Sequence, residues 1–330
     1  MKQKRVLVIG GTGVMGAYLV PELRSRGYSV DAVCIHEKMS DDAQLRYILA
    51  DCSNLRTLES ILEAKYDAAI DFMTYQTWQY AERYEMLCSR TGHYMYLSSY
   101  RVYSDQEIPT VETSPRLLDV VDDMEFLQTD DYSLAKARQE NILRSSKYSN
   151  WTILRPSIIY SNQRLQLTTL EIPQFLRRAR EGKPVYVARE ALDDETTMTW
   201  AGDAARMIAG LLFNPAAFRE TYSIATAEHH KWREVADIYK KYINLECIPV
   251  STEDYLGFFG NTLTAKFQLK YDRCRQRILD NSKILRDAGL KQSDLMTLEN
   301  GLSREIARIP DDMRWADTEV YRAMDAYGGE

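Results

Sequence analysis

The sequence predicts an α/β protein: a doubly wound parallel sheet with helices on both faces, joined to a smaller, mostly helical lobe. Three observations predict it. Short apolar runs alternate with amphipathic stretches through the first 155 residues. A glycine-rich turn comes directly after the first of those runs. Past Pro156 the rhythm changes, and most of the remaining chain has helical spacing.

The runs are RVLVI (5–9), VDAVCI (30–35), RYILA (46–50), DAAIDF (67–72), HYMYLSS (93–99) and WTILRP (151–156). Each is too short for a helix and too apolar for a strand with one wet face, so each reads as a strand buried on both sides. Helical patterns such as VMGAYLVPELRSRG and TWQYAERYEMLCSRTG lie between them. Gly27 and Gly92 stand where a left-handed residue would close a helix. Beyond Pro156, IPQFLRRAREGKP predicts a helix that stops at Gly182 and Pro184. MTWAGDAARMIAGLLFNP predicts another, with Asp203 as its N-cap and no chemistry of its own. ETYSIAT reads as one more strand and KWREVADIYKKYI as a helix. There is no repeat, no low-complexity linker and no sharp shift in composition. We therefore expect the lobes to interleave: a first domain over residues 1–160, to which 196–228 return, and a second lobe from 161–195 and 229–330.

Composition narrows the function classes. Apolar residues make up 45% of the chain, enough for a core, and the net charge of −6 comes without any Lys/Arg-rich block. Nucleic acid is not the expected partner. The five cysteines (34, 52, 88, 247, 274) are odd in number and lack Cys-x-x-Cys spacing, as expected of reduced thiols in a cytoplasmic protein. The four histidines have no carboxylate ladder around them, so no metal site is expected. The apolar run at the N-terminus is about five residues, too short for a signal peptide. No window approaches the roughly 20 apolar residues of a membrane span.

RVLVIGGTGVMGAYLV carries the sharpest local signal. Gly10, Gly11, Thr12, Gly13, Val14, Met15 and Gly16 come after a strand and open a helix. Gly11, Gly13 and Gly16 satisfy Gly-x-Gly-x-x-Gly. Glycine permits the tight turn, the approach of backbone to a pyrophosphate, and close packing of helix on strand. The free N–H groups and positive dipole of the helix start then face the phosphates. A ribose-binding acid is expected about 20 residues on. Asp31 comes too early, and His36 and Glu37 are the available partners. No arginine stands there to meet a 2′-phosphate, which favours NAD and leaves NADP open.

Tyr132 and Lys136, in DDYSLAKARQE, share a helix face at a spacing of four. With 22 tyrosines and 14 lysines in 330 residues, about one such pair arises by chance, and one is found. The spacing alone decides nothing; its surroundings do. The glycine loop, ADCSN with Asp51, YLSSYRVYS, DDYSLAK, LRPSIIY, TWAGDAA and LDNSKILRDAGL occur in the order known from one family. The chain resembles the extended short-chain dehydrogenase/reductases, the NAD-dependent epimerase/dehydratase family, over nearly its whole length.

The resemblance implies a Rossmann-type dinucleotide-binding domain and a substrate-binding lobe. It implies Tyr132 as the catalytic tyrosine, Lys136 as its partner, and Ser99 as the group that holds the reacting hydroxyl. Asp51 and the Cys52 backbone would face the adenine, Phe72 and Met73 would line the cofactor's path, and Pro156 and Ile158 would pass the nicotinamide. The chemistry is consistent. A tyrosine of ordinary pKa is a poor base at neutral pH, and moving it to about 7 takes ~4 kcal/mol of phenolate stabilisation. A neighbouring ammonium supplies part of that.

The residues after Ser99 discriminate among reactions. The family's dehydratases carry an acid pair there and its decarboxylases a glutamate, whereas this chain has Tyr100 and Arg101. That favours the 4-epimerases. Arg101 is suited to a substrate phosphate or carboxylate. Met73, Thr74 and Tyr75 replace an Ala-Gly-rich segment, and Ser104 replaces a glycine, so the substrate side departs from the usual pattern. Three readings stand open: an NAD-retaining nucleotide-sugar epimerase, an NAD(P)-dependent reductase or dehydrogenase that exchanges its cofactor, and a non-catalytic cofactor-sensing or RNA-associated member. The resemblance also implies a homodimer built partly on the Tyr132 helix.

Overall fold

The computed structural model describes residues 3–328. Seven strands form one parallel sheet: β1 (Arg5–Ile9), β2 (Ser29–Cys34), β3 (Leu45–Leu49), β4 (Ala68–Asp71), β5 (Tyr94–Leu97), β6 (Trp151–Pro156) and β7 (Glu220–Ile224). Their spatial order is β7-β6-β5-β4-β1-β2-β3. All six apolar runs are strands, and ETYSIAT supplies the seventh. The chain runs outward from β1 to β3, then crosses back to β4 on the other side of β1. Neighbouring connections leave the sheet in opposite directions there, opening a crevice at the carboxyl ends of β1 and β4.

The period of two explains why both faces are covered. Val6 and Val8 of β1 enter one core, while Leu7 and Ile9 enter the other. On the first side lie helix α1 (Gly16–Ser25), through Leu19, Val20 and Leu23, and a later helix over Ala201–Leu211. On the second lie helix α2 (Leu55–Leu62), through Leu58 and Leu62, and helix α3 (Tyr132–Arg144), through Leu143. The second lobe has its own core around Phe175, Trp232, Tyr239 and Tyr255, and Tyr100, Tyr103 and Ala137 belong to it as well. Ile158–Tyr160 pairs in parallel with Met198–Trp200, and Val185–Ala188 with Cys247–Val250.

Several local readings need correction. Gly27 is left-handed as expected (φ +85°), but Gly92 is not. A Cβ on Gly92 would lie 2.6 Å from the Asp67 carbonyl oxygen, so close backbone approach is what requires glycine there. TWQYAERYEMLCSRTG forms two short helices, Thr77–Ala81 and Tyr84–Arg90. They part where the Arg83 guanidinium turns inward to donate to the Gln79 (2.7 Å) and Ser53 (2.5 Å) carbonyls. Asp203 is not an N-cap; Trp200 occupies that position. Asp203 sits buried in the first turn, pairs with Arg206 and accepts from the Met296 backbone N–H at 2.6 Å. Helix α3 is covered by its own chain, leaving only Asn141 and Arg144 exposed on it.

What fixes α3 is Glu140, which is fully buried. Its carboxylate accepts from Arg155 of β6 twice (2.8 and 2.6 Å), from Ser98 just past β5 (2.6 Å) and from Arg116 (3.2 Å). Burial works to raise its pKa, but Arg155, Ser98 and Arg116 hold it below the ordinary value. Glu140→Gln would keep the shape and leave the buried Arg155 guanidinium without its carboxylate, while Arg116 would keep Asp119. We expect it to cost about 3–5 kcal/mol of stability, read as a lowered urea midpoint. Adding Arg155→Met should recover part of the loss. A single-variant change below about 1 kcal/mol would show that the pair does not hold the helix.

Candidate active site

The glycine loop lies at the crevice. The Gly10 and Gly11 N–H groups donate to the Val33 carbonyl (3.2 and 2.9 Å), and Gly13 N–H donates back to Gly10 (3.1 Å). Gly10 is left-handed (φ +80°). A Cβ on Gly16 would lie 2.3 Å from the Gly10 carbonyl oxygen, so α1 packs against the loop at a distance only glycine permits. A turn this tight, opening a helix at the sheet's switch point, fits the pyrophosphate of a dinucleotide.

Tyr132 is the first residue of α3, and Asp131 caps the helix by accepting from Ser133 N–H at 3.0 Å. One turn on, Lys136 is buried, and its ammonium donates to the Leu97 carbonyl at 2.6 Å. The ammonium stands 5.0 Å from the Tyr96 ring centroid and 5.9 Å from that of Tyr132. Burial pulls its pKa down to about 8, while Asp71 and Glu140 resist the fall. Asp71, at the end of β4, is equally buried. Its carboxylate accepts from the Met73 backbone at 3.0 Å and from the Tyr75 and Tyr94 hydroxyls at 3.4 Å each. Burial raises its pKa to about 6, against the Met73 N–H and Lys136. Ser99 is buried two residues past β5, and its hydroxyl accepts from the Arg101 backbone N–H at 3.2 Å.

A cavity of about 550 Å³ joins the glycine loop to Ser99 and Tyr132. Gly10, Gly13, Val14, Met15, Gly16, Phe72 and Thr74 line it on one side. Ser99, Tyr100, Arg101, Tyr132, Pro156 and Ile158 line it further along. That volume suits a small organic ligand. Gly11, Thr12, His36, Asp51, Cys52, Met73 and Lys136 are not on its wall. Gly11 packs on Ala32, and a Cβ there would lie 2.7 Å from the Ala32 Cβ. Cys52 is buried in the core below α2, and burial pushes its thiol up to about 12. Met73 lies against the same core. His36 and Asp51 are exposed beyond the carboxyl ends of β2 and β3.

Other residues complete the wall without having been foreseen. Arg164, Gln166, Glu171, Gln268 and Arg273 come from the second lobe. Arg273 closes a π-helical turn over Leu269–Arg273, a local irregularity often found at functional sites. Asp71 had one visible signal, a carboxylate ending an otherwise apolar strand. Among the described residues, no cluster of three or more histidine, cysteine or acidic side chains is arranged to hold a metal. No described helix is long and apolar enough to cross a membrane.

The NAD dependent epimerase/dehydratase family model matches residues 6–225, more than half of the chain, and the chain belongs to that family. No curated protein is significantly similar to it in sequence. Among solved structures, an epimerase from Methanothermobacter thermautotrophicus superposes with a TM-score of 0.71 at 15% identity, over 92% of this chain and 91% of its own. The Thermus thermophilus UDP-glucose 4-epimerase, in complex with NAD, has a TM-score of 0.68 at 17% identity, over 94% and 100%. The Thermotoga maritima UDP-glucose 4-epimerase, with UDP-glucose, has 0.67 at 16%, over 92% and 97%. At such identities the likeness is one of fold.

The Asp71–Lys136 pairing makes a prediction with a definite sign. The Asp71 carboxylate favours the charged ammonium, so Asp71→Asn should let Lys136 lose its proton at lower pH than about 8. NMR titration of isotope-labelled lysine should show its midpoint falling by at least about half a unit. An unchanged or higher midpoint would mean that Asp71 does not act on Lys136.

Proposed function

We propose that this member of the NAD-dependent epimerase/dehydratase family is an epimerase of nucleotide sugars that retains NAD and works by transient oxidation of a substrate hydroxyl. One observation carries the reading: the glycine loop, Ser99 and Tyr132 line a single cavity, with the Lys136 ammonium held by Leu97 directly behind. The complexes of the two UDP-glucose 4-epimerases, one with NAD and one with UDP-glucose, support it by likeness of fold.

Backbone N–H groups of Gly10–Gly16 would hold the pyrophosphate, and His36 and Asp51 stand at the sheet edge where an adenosine would extend. When bound, NAD supplies a hydride acceptor that can return the hydride to either face of the sugar carbon. The chain's own residues manage the proton. The Ser99 hydroxyl holds the substrate hydroxyl, and the Tyr132 oxygen takes its proton and later gives it back. Lys136 stabilises the phenolate by its charge and by being fixed in place. Residues 161–195 and 229–330 would form the lobe that carries the nucleotide sugar, and Arg164, Gln166, Gln268 and Arg273 bring it to the cavity. No carboxylate lies between Ser99 and Tyr103 to drive elimination of water, which sets epimerisation above dehydration.

Two measurements test this. Protein purified without added cofactor, then denatured, should release NAD in near-stoichiometric amount. An empty protein would favour a reductase that exchanges its cofactor. Tyr132→Phe should lower kcat at least about 100-fold and leave the cofactor content unchanged. A variant keeping more than roughly a tenth of the wild-type rate would remove Tyr132 from the acid–base role.

A further inference from the structure

Arg101 has a place in the cavity that the proposed reaction does not use. Its guanidinium carbon lies 5.1 Å from the centroid of the Tyr132 ring, and its side chain is 15% exposed. It forms part of the cavity wall two residues after Ser99. Three arginines share one buried carboxylate here, that of Asp272: Arg101 (3.3 Å), Arg273 and Arg277 (3.3 Å). Against the pull of burial, Arg273, Arg101 and Arg277 hold Asp272 below its ordinary pKa.

The three arginines are not equally satisfied. Arg273 also donates to the Thr168 carbonyl (2.7 Å), the Tyr100 hydroxyl (2.9 Å) and Gln166 Oε1 (3.2 Å). Arg277 donates to the Tyr103 (2.9 Å) and Tyr271 (2.5 Å) carbonyls. The Arg101 guanidinium makes no hydrogen bond among the described residues: its buried Nε faces Asp272 at 3.3 Å without bonding geometry, and its two terminal nitrogens have no protein partner. A guanidinium has five donors in a planar fork, and buried donors are ordinarily paired. Asp272 is the one carboxylate within ion-pair distance of these three guanidiniums; Glu171, also on the cavity wall, pairs with Arg164 and acts on Arg273 from further off.

We propose that Arg101 anchors a carboxylate borne by the substrate next to its reacting carbon, so that the substrate is an acidic, uronate-type nucleotide sugar rather than a neutral hexose. A planar carboxylate matches the fork of the guanidinium through two parallel hydrogen bonds. The placement beside Tyr132 and Ser99 selects this group over the diphosphate, which a nucleotide sugar carries on the anomeric side, away from the hydroxyl being oxidised. The inference rests on the function proposed above, and names the substrate class of the same site.

Calorimetric titration of the NAD-loaded protein with UDP-glucuronate and with UDP-glucose tests it, alongside Arg101→Gln and Arg101→Lys. The wild type should bind UDP-glucuronate at least about ten-fold more tightly than UDP-glucose. Arg101→Gln should weaken UDP-glucuronate binding at least about ten-fold more than UDP-glucose binding, while Arg101→Lys, which keeps the charge without the fork, should restore part of the preference. An equal loss for both ligands would place the guanidinium on the diphosphate, and no loss for either would make Arg101 a structural partner of Asp272. Both outcomes overturn the proposal. If Arg101→Gln fails to fold, the same comparison is read from Arg101→Lys, whose loss must fall mainly on UDP-glucuronate for the proposal to stand. Turnover separates the two readings. Tight, Arg101-dependent binding of UDP-glucuronate without an epimerised product would end the epimerase reading and leave the carboxylate site standing. Equal binding and epimerisation of the two sugars would do the reverse.

Discussion

The buried carboxylate of Glu140 is the constraint on which the site depends. It lies one helical turn beyond Lys136 and two beyond Tyr132, on the same face of α3. By accepting from Arg155 on β6 and Ser98 past β5, it fixes both the rotation of the helix and its height above the sheet. A helix that turned or slid would break an ion pair whose members are almost wholly out of water, and either charge left alone there is expensive. Lys136 therefore meets the Leu97 carbonyl and Tyr132 meets the cavity as consequences of the same anchoring.

The interior around this helix is unusually charged for a core. Asp71, Lys136, Glu140 and Arg155 are all buried within one region of the sheet's upper edge. Their signs alternate, and each has polar partners that make burial tolerable. The second lobe repeats the device with Asp272 among Arg101, Arg273 and Arg277. Arg101 and Arg273 of this second cluster stand on the cavity wall. Side chains held this way need little rearrangement when charge develops on a bound substrate, the condition for electrostatic catalysis.

The sheet was legible because its strands are buried on both faces, and a continuous apolar run is a strong signal when glycines and amphipathic helices bound it. The glycine loop was legible because steric need leaves few alternatives at Gly10 and Gly16. Tyr132, Ser99 and Arg101 could be found by combining spacing with the order of neighbouring elements, and they do line one cavity. Asp71 and Glu140 could not be ranked above other acids, because their importance comes from burial and from partners on other strands. Arg273 was hidden for a similar reason: it reaches Tyr100 across 173 residues of sequence. Asp203 was misread because a residue type favoured at caps is also favoured in a first turn, and the deciding contact, Met296, lies 93 residues away.

In the epimerase proposed above, the hydrogen on the inverted carbon leaves and returns as hydride, with only the hydroxyl proton passing through Tyr132. Running the reaction in deuterium oxide and reading the product sugar by mass spectrometry tests this most directly. Inversion without deuterium at the inverted carbon is expected, because the hydride never exchanges with solvent. Deuterium at that carbon would show that it is deprotonated instead, and would rule out hydride transfer.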